Sequence, residues 1–221
     1  MTYEPIGDTA LTIRQTPGGP PFYPAALARR LRDAALPGVV DAVAAFDAVT
    51  VVYDIAAMRG RNDPIDHLSR LIQGLMTDAA ANTSPENSRR IELPVDYGGD
   101  HGPDLLWLAK LLKRPLASLI EAHTGTDYTV AAVGFLPGFA YLSGLPTGLR
   151  VARRATPRVR VPAGSVAIGG PYTGVYPVAS PGGWHLIGRA RTALFDPLRP
   201  DATPFRVGDR VRFVAVSSTE A

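Results

Sequence analysis

Three segments set the character of the second half of this chain: Gly134-Phe135-Leu136-Pro137-Gly138-Phe139-Ala140-Tyr141-Leu142, Thr156-Pro157-Arg158-Val159-Arg160-Val161-Pro162-Ala163-Gly164-Ser165-Val166 and Ser180-Pro181-Gly182-Gly183-Trp184-His185-Leu186-Ile187-Gly188-Arg189. In each, Gly and Pro punctuate short β-branched or aromatic runs, the pattern of strands joined by tight turns. Reading outward predicts strands over 128–135, 158–161, 166–168, 175–178, 184–187 and 211–216. So many short strands with Gly/Pro turns argue for a closed or nearly closed barrel. Two short helices are predicted ahead of them, over 103–112 and 115–123. Each is opened by proline at the first helical position, and Gly125 ends the second.

Before residue 82 the pattern changes. Leu11 and Ile13 alternate with polar residues as in a strand, and Pro24 opens a helix with Leu27 and Leu31 on one face. The runs 39–43 and 49–53 read as further strands. Asp63-Pro64 then caps a second helix with Leu68, Ile72, Leu75 and Met76 in one stripe. This order suits a small α+β sandwich with helices on one face of an antiparallel sheet. The segment 82–88, without a large apolar residue, is the expected linker. The expected organisation is an α+β domain over 1–85 followed by a mainly β barrel domain over 89–217.

A chain of 221 residues with 46% hydrophobic residues can bury a real core. No apolar run approaches the ~20 residues of a membrane span and no leader pattern opens the chain, so a cytoplasmic protein is expected. There is no cysteine, which excludes disulfides, zinc thiolates and Cys nucleophiles. A net charge of +3 does not imply nucleic acid. The chain contains no phosphate loop, no His-Glu-x-x-His, no Gly-x-Ser-x-Gly elbow and no dinucleotide fingerprint, and its four histidines have no metal-site spacing. A self-sufficient ATPase, serine hydrolase or metalloenzyme is therefore not expected, and no metal site is assigned.

The residues that remain have two readings each. Phe135, Phe139 and Tyr141 fall on a loop bent by Pro137 and Gly138, and form either a pocket wall or a plug at the barrel end. Arg158 and Arg160 share a strand face while Val159 and Val161 point to the core, which makes either an anion site or a solvated face. Gly182 and Gly183 form a turn whose amides can approach an anion, with Trp184 as a wall. A tight hairpin with Trp184 packed beneath it explains the glycines equally well. His123, in the last turn of its helix, is a proton carrier or a packing residue. Asp104 favours a helix dipole or orients a substrate amide.

The three opening segments, in this order, resemble the family named variously the B subunit of 5-oxoprolinase, allophanate hydrolase subunit 1 and Kip-type kinase inhibitor. Tyr97-Gly98-Gly99-Asp100-His101-Gly102-Pro103-Asp104-Leu105, His123 with Tyr128, Thr173-Gly174-Val175-Tyr176-Pro177 and Phe195-Asp196-Pro197 extend the similarity, which is dense from Glu92 to Val216. The resemblance implies that the barrel is cyclophilin-like, of the carboxyltransferase C/D type. It also implies that the chain serves an ATP-dependent 5-oxoprolinase, opening a lactam to glutamate. The implied partners are a homologous barrel protein, of the kind that forms the C subunit, and a third catalytic subunit, with ATP bound mainly by the complex. Alternatives within the same family are inhibition of a sensor histidine kinase and a carboxyltransferase-like role in urea or allophanate breakdown. The expected catalytic residues are His123, Arg158 and Arg189. The expected substrate contacts, for a small lactam or amide, are Phe135, Phe139, Tyr141, Gly182, Gly183, Trp184 and Asp104.

Overall fold

The structure is a computed structural model that describes residues 1–16, 23–58, 64–77 and 88–216. It divides into two units, Met1–Asn87 and Ser88–Ala221. Residues 82–87 of the expected linker at 82–88, and the cap at Asp63, lie outside the described residues.

In the first unit a four-stranded antiparallel sheet has the order β1-β2-β4-β3. Its strands are β1 (Thr2–Ile6), β2 (Ala10–Arg14), β3 (Val39–Ala45) and β4 (Ala48–Tyr53). Leu11 and Ile13 of β2 are buried, as are Val49, Val51 and Tyr53 of β4. Helix α1 (Pro24–Asp33) buries Leu27, Ala28 and Leu31 and packs against β3 and β4. Helix α2 (Pro64–Thr77) buries Leu68 and Ile72. β1 has no counterpart among the expected strands. It is an edge strand carrying Pro5 and is almost wholly exposed, so it shows no hydrophobic alternation to read.

The second unit is a closed barrel of seven strands in the order β10-β7-β6-β13-β5-β12-β9. The strands are β5 (Arg90–Tyr97), β6 (Tyr128–Val133), β7 (Ala140–Ser143), β9 (Ser165–Gly169), β10 (Tyr172–Val175), β12 (His185–Ala190) and β13 (Arg210–Ala215). The β5–β13 pair is parallel and the other strand pairs are antiparallel. β8 (Arg158–Val161) and β11 (Ser180–Gly182) pair with each other as a separate ribbon.

Three expectations are corrected here. β8 is not a barrel strand, and β5 and β7 are. β5 is hidden in the sequence because Pro94 interrupts its Leu93/Val95 alternation, and β7 because it is four residues long behind a Gly/Pro loop. Pro103 and Pro115 do not sit at the first helical position. Helix α3 (Leu105–Leu111) begins after Asp104, and α4 (Leu116–Thr124) after Pro115, whose ψ of 142° is extended.

The central barrel strands bury both faces. Val166 and Ile168 of β9, Leu142 of β7 and Ile187 of β12 belong to one core, together with Phe213 and with Leu105, Leu108 and Leu119 from α3 and α4. The intervening residues Ala167 and Leu186 join a second cluster with Phe139, Tyr176, Trp184 and Val161 of β8. The pairing of β12 with β9 shifts register between Leu186 and Gly188, as at a β-bulge.

The segment before α3 lies directly on β12. Gly98 donates its N–H to the Ile187 carbonyl at 3.0 Å, and a Cβ on Gly102 would stand 2.1 Å from that same oxygen. Backbone cannot yield there as a side-chain tip would. Gly102→Ala is expected to cost about 3 kcal/mol or more. Gly134→Ala, with nothing within 4 Å of the new methyl, is expected to stay within about 0.5 kcal/mol. Thermal unfolding of the two variants checks this, and equal midpoints would contradict it.

Candidate functional site

The site is built on the second cluster. Gly134 donates to the Phe139 carbonyl at 3.0 Å and Phe139 to the Leu136 carbonyl at 3.0 Å, closing the loop on itself. This buries Phe139 as a hub, with ring centroids 4.9 Å from Tyr141, 5.3 Å from Tyr176 and 5.5 Å from Trp184, all edge-on. Tyr141, on β7 rather than on the loop, also meets Trp184 at 5.8 Å and Tyr172 at 6.1 Å. Such contacts fix ring orientations beyond simple burial. Tyr141 and Tyr172 are half-buried and form the rim.

Phe135 is different. It is 63% exposed, at a φ of 75° that is costly for a residue with a Cβ, and touches the cluster by its edge contact with Phe139 at 5.6 Å. It does not line the cluster.

Trp184 presents a face to the cation of Arg153, whose guanidinium carbon lies 5.9 Å from the ring centroid. Gly182 owes its identity to space rather than to turn geometry, because a Cβ there would lie 2.4 Å from the Tyr176 hydroxyl. Gly183 meets only ordinary contacts, and its carbonyl accepts the Arg154 N–H at 2.8 Å. Burial raises the Tyr176 phenol above its ordinary pKa, and the nearby Tyr141 adds to that. The Trp184 backbone hydrogen bond and the positive charges of Arg153 and Arg158 oppose it. Tyr176 is thus a neutral hydroxyl among two arginines and three aromatic rings, and it is not among the site residues expected from sequence. The Gly/Pro context of Thr173-Gly174-Val175-Tyr176-Pro177 is its one legible signal.

Arg158 donates Nη2 to Asp104 Oδ1 at 2.8 Å, while its Nη1 is buried with no hydrogen-bond partner among the described residues. The expectation that Val159 points to the core is overturned, because Val159 is 90% exposed and only Val161 is buried. The cause is the bulged pairing of β8 with β11 outside the barrel, which lays only the end of β8 on the second cluster. Asp104, 7% exposed, makes no side-chain cap to its own helix. Its Oδ2 accepts the Leu186 N–H at 2.7 Å, and its Oδ1 also accepts Arg154 Nη1 at 3.4 Å.

His185 is buried beside this group. One ring nitrogen, Nε2, bonds the Ala152 carbonyl at 3.0 Å, and the ring stacks on Trp107 at 4.8 Å and 16°. Arg154, Trp107 and His185 are likewise absent from the site residues that the sequence suggests.

Two expected residues make no hydrogen bond to Asp104. Arg189 runs its stem past Gly164, and its Nε is buried with no hydrogen-bond partner among the described residues. The hydrogen bonds of Asp104 run to Arg158, Arg154 and Leu186, and Arg189 is not one of its donors. His123 is 1% exposed inside the barrel core. Its Nδ1 shares a hydrogen with the Tyr97 hydroxyl at 2.7 Å and its Nε2 with Thr173 Oγ1 at 2.9 Å, and the ring stacks on Phe213 at 4.5 Å. Burial lowers its pKa to about 3, so it is neutral at physiological pH. Among the described residues, no group of three or more His, Cys, Asp or Glu side chains is placed to hold a metal ion, and no helix is long and apolar enough to cross a membrane.

The order of these elements, from the docked loop before α3 to the Gly/Pro loop, the arginine ribbon and the Trp184 strand, matches known proteins. Residues 1–205 match the family described as carboxyltransferase domain, subdomain C and D. The 5-oxoprolinase B subunit of Bacillus subtilis is 36% identical over 229 residues, covering 98% of this chain and 93% of that protein. The corresponding B subunit of Escherichia coli O157:H7 is 43% identical over 215 residues, covering 95% and 93%. This chain belongs to the family of 5-oxoprolinase B subunits. The crystal structure of TTHA0988 superposes with a TM-score of 0.74 at 36% identity, over 94% of this chain. The match spans only 40% of that longer chain.

Within this family member, His123 supplies a pH signature. Its folded pKa, about 3, lies below the ordinary 6.5, so the unfolded chain binds the proton first. The stability it contributes is complete above pH 6.5 and is lost as pH falls toward 3, with a slope of at most about 1.4 kcal/mol per unit. Between about pH 6.5 and 5, before most carboxylates titrate, His123→Gln is expected to lose less stability on acidification than the unaltered chain. Parallel curves from chemical denaturation would refute this.

Proposed function

We propose that this chain is the B subunit of an ATP-dependent 5-oxoprolinase and supplies the site that receives the lactam's ring and carboxylate. Of the readings that the resemblance implies, this is the one whose name its curated relatives bear. The single observation that carries the site is Arg158: one arm is tied to Asp104 and the other is buried with no hydrogen-bond partner among the described residues, beside Tyr176. A buried donor without an acceptor is costly, and a planar carboxylate suits a guanidinium. 5-Oxoproline carries such a carboxylate on a flat ring that fits against Tyr141 and the Trp184 cluster, with Arg153 at the mouth.

Ring opening requires the lactam oxygen to accept the γ-phosphoryl of ATP with release of ADP, one water to add to the activated carbon so that the C–N bond breaks to the free amine, and a second water to release phosphate from the acyl phosphate that results. Most of the catalysis lies in positioning and in stabilising negative charge. This chain has no phosphate loop, so ATP is held by the partners, a homologous barrel protein and a third subunit. The residues here bind and orient the substrate. His123, neutral and sealed in the core, supports the barrel wall through Thr173 and Tyr97 rather than meeting the lactam. Arg189, which is not a donor to Asp104, is assigned to a contact with a partner or to the phosphoryl group.

Purified alone, the chain is expected to release no glutamate from 5-oxoproline with ATP, and to do so when reconstituted with its partners. Turnover by the chain alone after gel filtration would overturn the division of labour.

In the reconstituted complex, Arg158→Ala is expected to lower kcat/KM by the equivalent of ~2 kcal/mol or more. Arg158→Lys should do nearly as badly, because an ammonium cannot hold Asp104 and a substrate carboxylate in one planar fork. Arg153→Ala, which removes the cation–π contact with Trp184, should cost about 0.5 kcal/mol. Steady-state kinetics, with thermal unfolding alongside, decides the matter. Equal losses at both arginines would contradict the geometric role.

A further inference from the structure

Asp104 is one of the expected substrate contacts, and its surroundings indicate a different role. Its backbone N–H donates to the Leu186 carbonyl at 3.0 Å and its Oδ2 accepts the Leu186 N–H at 2.7 Å, so main chain and side chain grip the same residue of β12. Its Oδ1 accepts Arg158 Nη2 at 2.8 Å and Arg154 Nη1 at 3.4 Å. With three protein donors on its two oxygens and 7% exposure, the carboxylate is committed mainly to protein groups. The segment that carries the two arginines is held at further points, by Arg154 N–H on the Gly183 carbonyl at 2.8 Å and by His185 on the Ala152 carbonyl at 3.0 Å.

We infer that Asp104 is a positioning residue: by occupying one arm of Arg158 it fixes the guanidinium plane and aims the buried Nη1, which has no partner among the described residues, at the substrate carboxylate. The inference rests on the carboxylate-site reading above. Arg158 stands on a ribbon outside the barrel, and among the described residues Asp104 is the group that hydrogen-bonds its fork. Asp104 acts on affinity through Arg158 and takes no part in phosphoryl transfer or water addition. An asparagine has one acceptor oxygen and one amino group, so it cannot serve Leu186 N–H on one side and a guanidinium on the other.

The test is a double-mutant cycle in the reconstituted complex, read as KM for 5-oxoproline and kcat of ATP-dependent glutamate release. Asp104→Asn is expected to raise KM at least about tenfold with kcat within about threefold. In the Arg158→Ala background the same change is expected to raise KM less than about twofold, since nothing remains to be aimed. Asp104→Glu keeps the charge but displaces the carboxylate. It should show the same dependence on Arg158 and keep a cooperative thermal transition, at a lower midpoint because the displaced carboxylate meets the Leu186 N–H less well, and is the second probe if the asparagine variant does not fold. If Arg158→Ala raises KM and the Asp104 changes multiply that effect in full, the positioning role is overturned and the carboxylate site stands. If Arg158→Ala in a folded complex leaves KM unchanged, the carboxylate site fails and the positioning role with it.

Discussion

A carboxylate taken out of water must be met by donors on every side, and the Asp104 side chain obeys that demand at the centre of this unit. It joins three pieces of chain that are distant in sequence: the start of α3, the bulged strand β12 through Leu186, and the ribbon that bears Arg158. Breaking a buried pair by removing one partner costs about 3–5 kcal/mol in general, far more than an exposed ion pair provides. Exposed pairs of this protein, such as Arg206 with Asp201, belong to the second class. The site geometry therefore depends on one buried anion rather than on the many surface arginines.

A second constraint is that the central barrel strands are buried on both faces. Successive side chains alternate, so Val166 and Ile168 enter one core while Ala167 enters the other. The first core closes the barrel with α3 and α4. The second lies under the β8–β11 ribbon and collects Phe139, Tyr176 and Trp184 in edge-on contacts. Stiff rings of this kind lose little conformational entropy when they are contacted, which the proposed substrate surface would require. His123 and Trp184, both matched to the same family pattern, end up in different cores with different roles.

The Gly/Pro-punctuated strands, the two short helices and the α+β pattern before residue 82 are all legible, because each is a local signal of turn chemistry and hydrophobic period. So are the aromatic residues and Arg158, through the motifs that surround them. Strands β1, β5, β7 and β11 are not, and β10 lies at Tyr172–Val175 instead of the expected 175–178, since proline, exposure or brevity erases the alternation that identifies a strand.

What the chain's order of residues could not convey is which partner each polar group finds. Val159 and Val161 have the same side chain two positions apart, yet one lies at the surface and the other in the core, because the pairing of β8 is decided by β11 and not by its own pattern. Asp104 at a helix start reads as a dipole partner, and becomes a clamp on Arg158 only when β12 arrives beside it. Tyr176 reads as one aromatic among eight tyrosines until Gly182 makes room for its hydroxyl. The sequence by itself determined most of the strands, the turns and the family, since these rest on contacts a few residues apart. Only the tertiary structure decided the site, since a buried charge or hydroxyl is satisfied by groups distant along the chain, as the spans of 54 from Asp104 to Arg158 and 82 from Asp104 to Leu186 show.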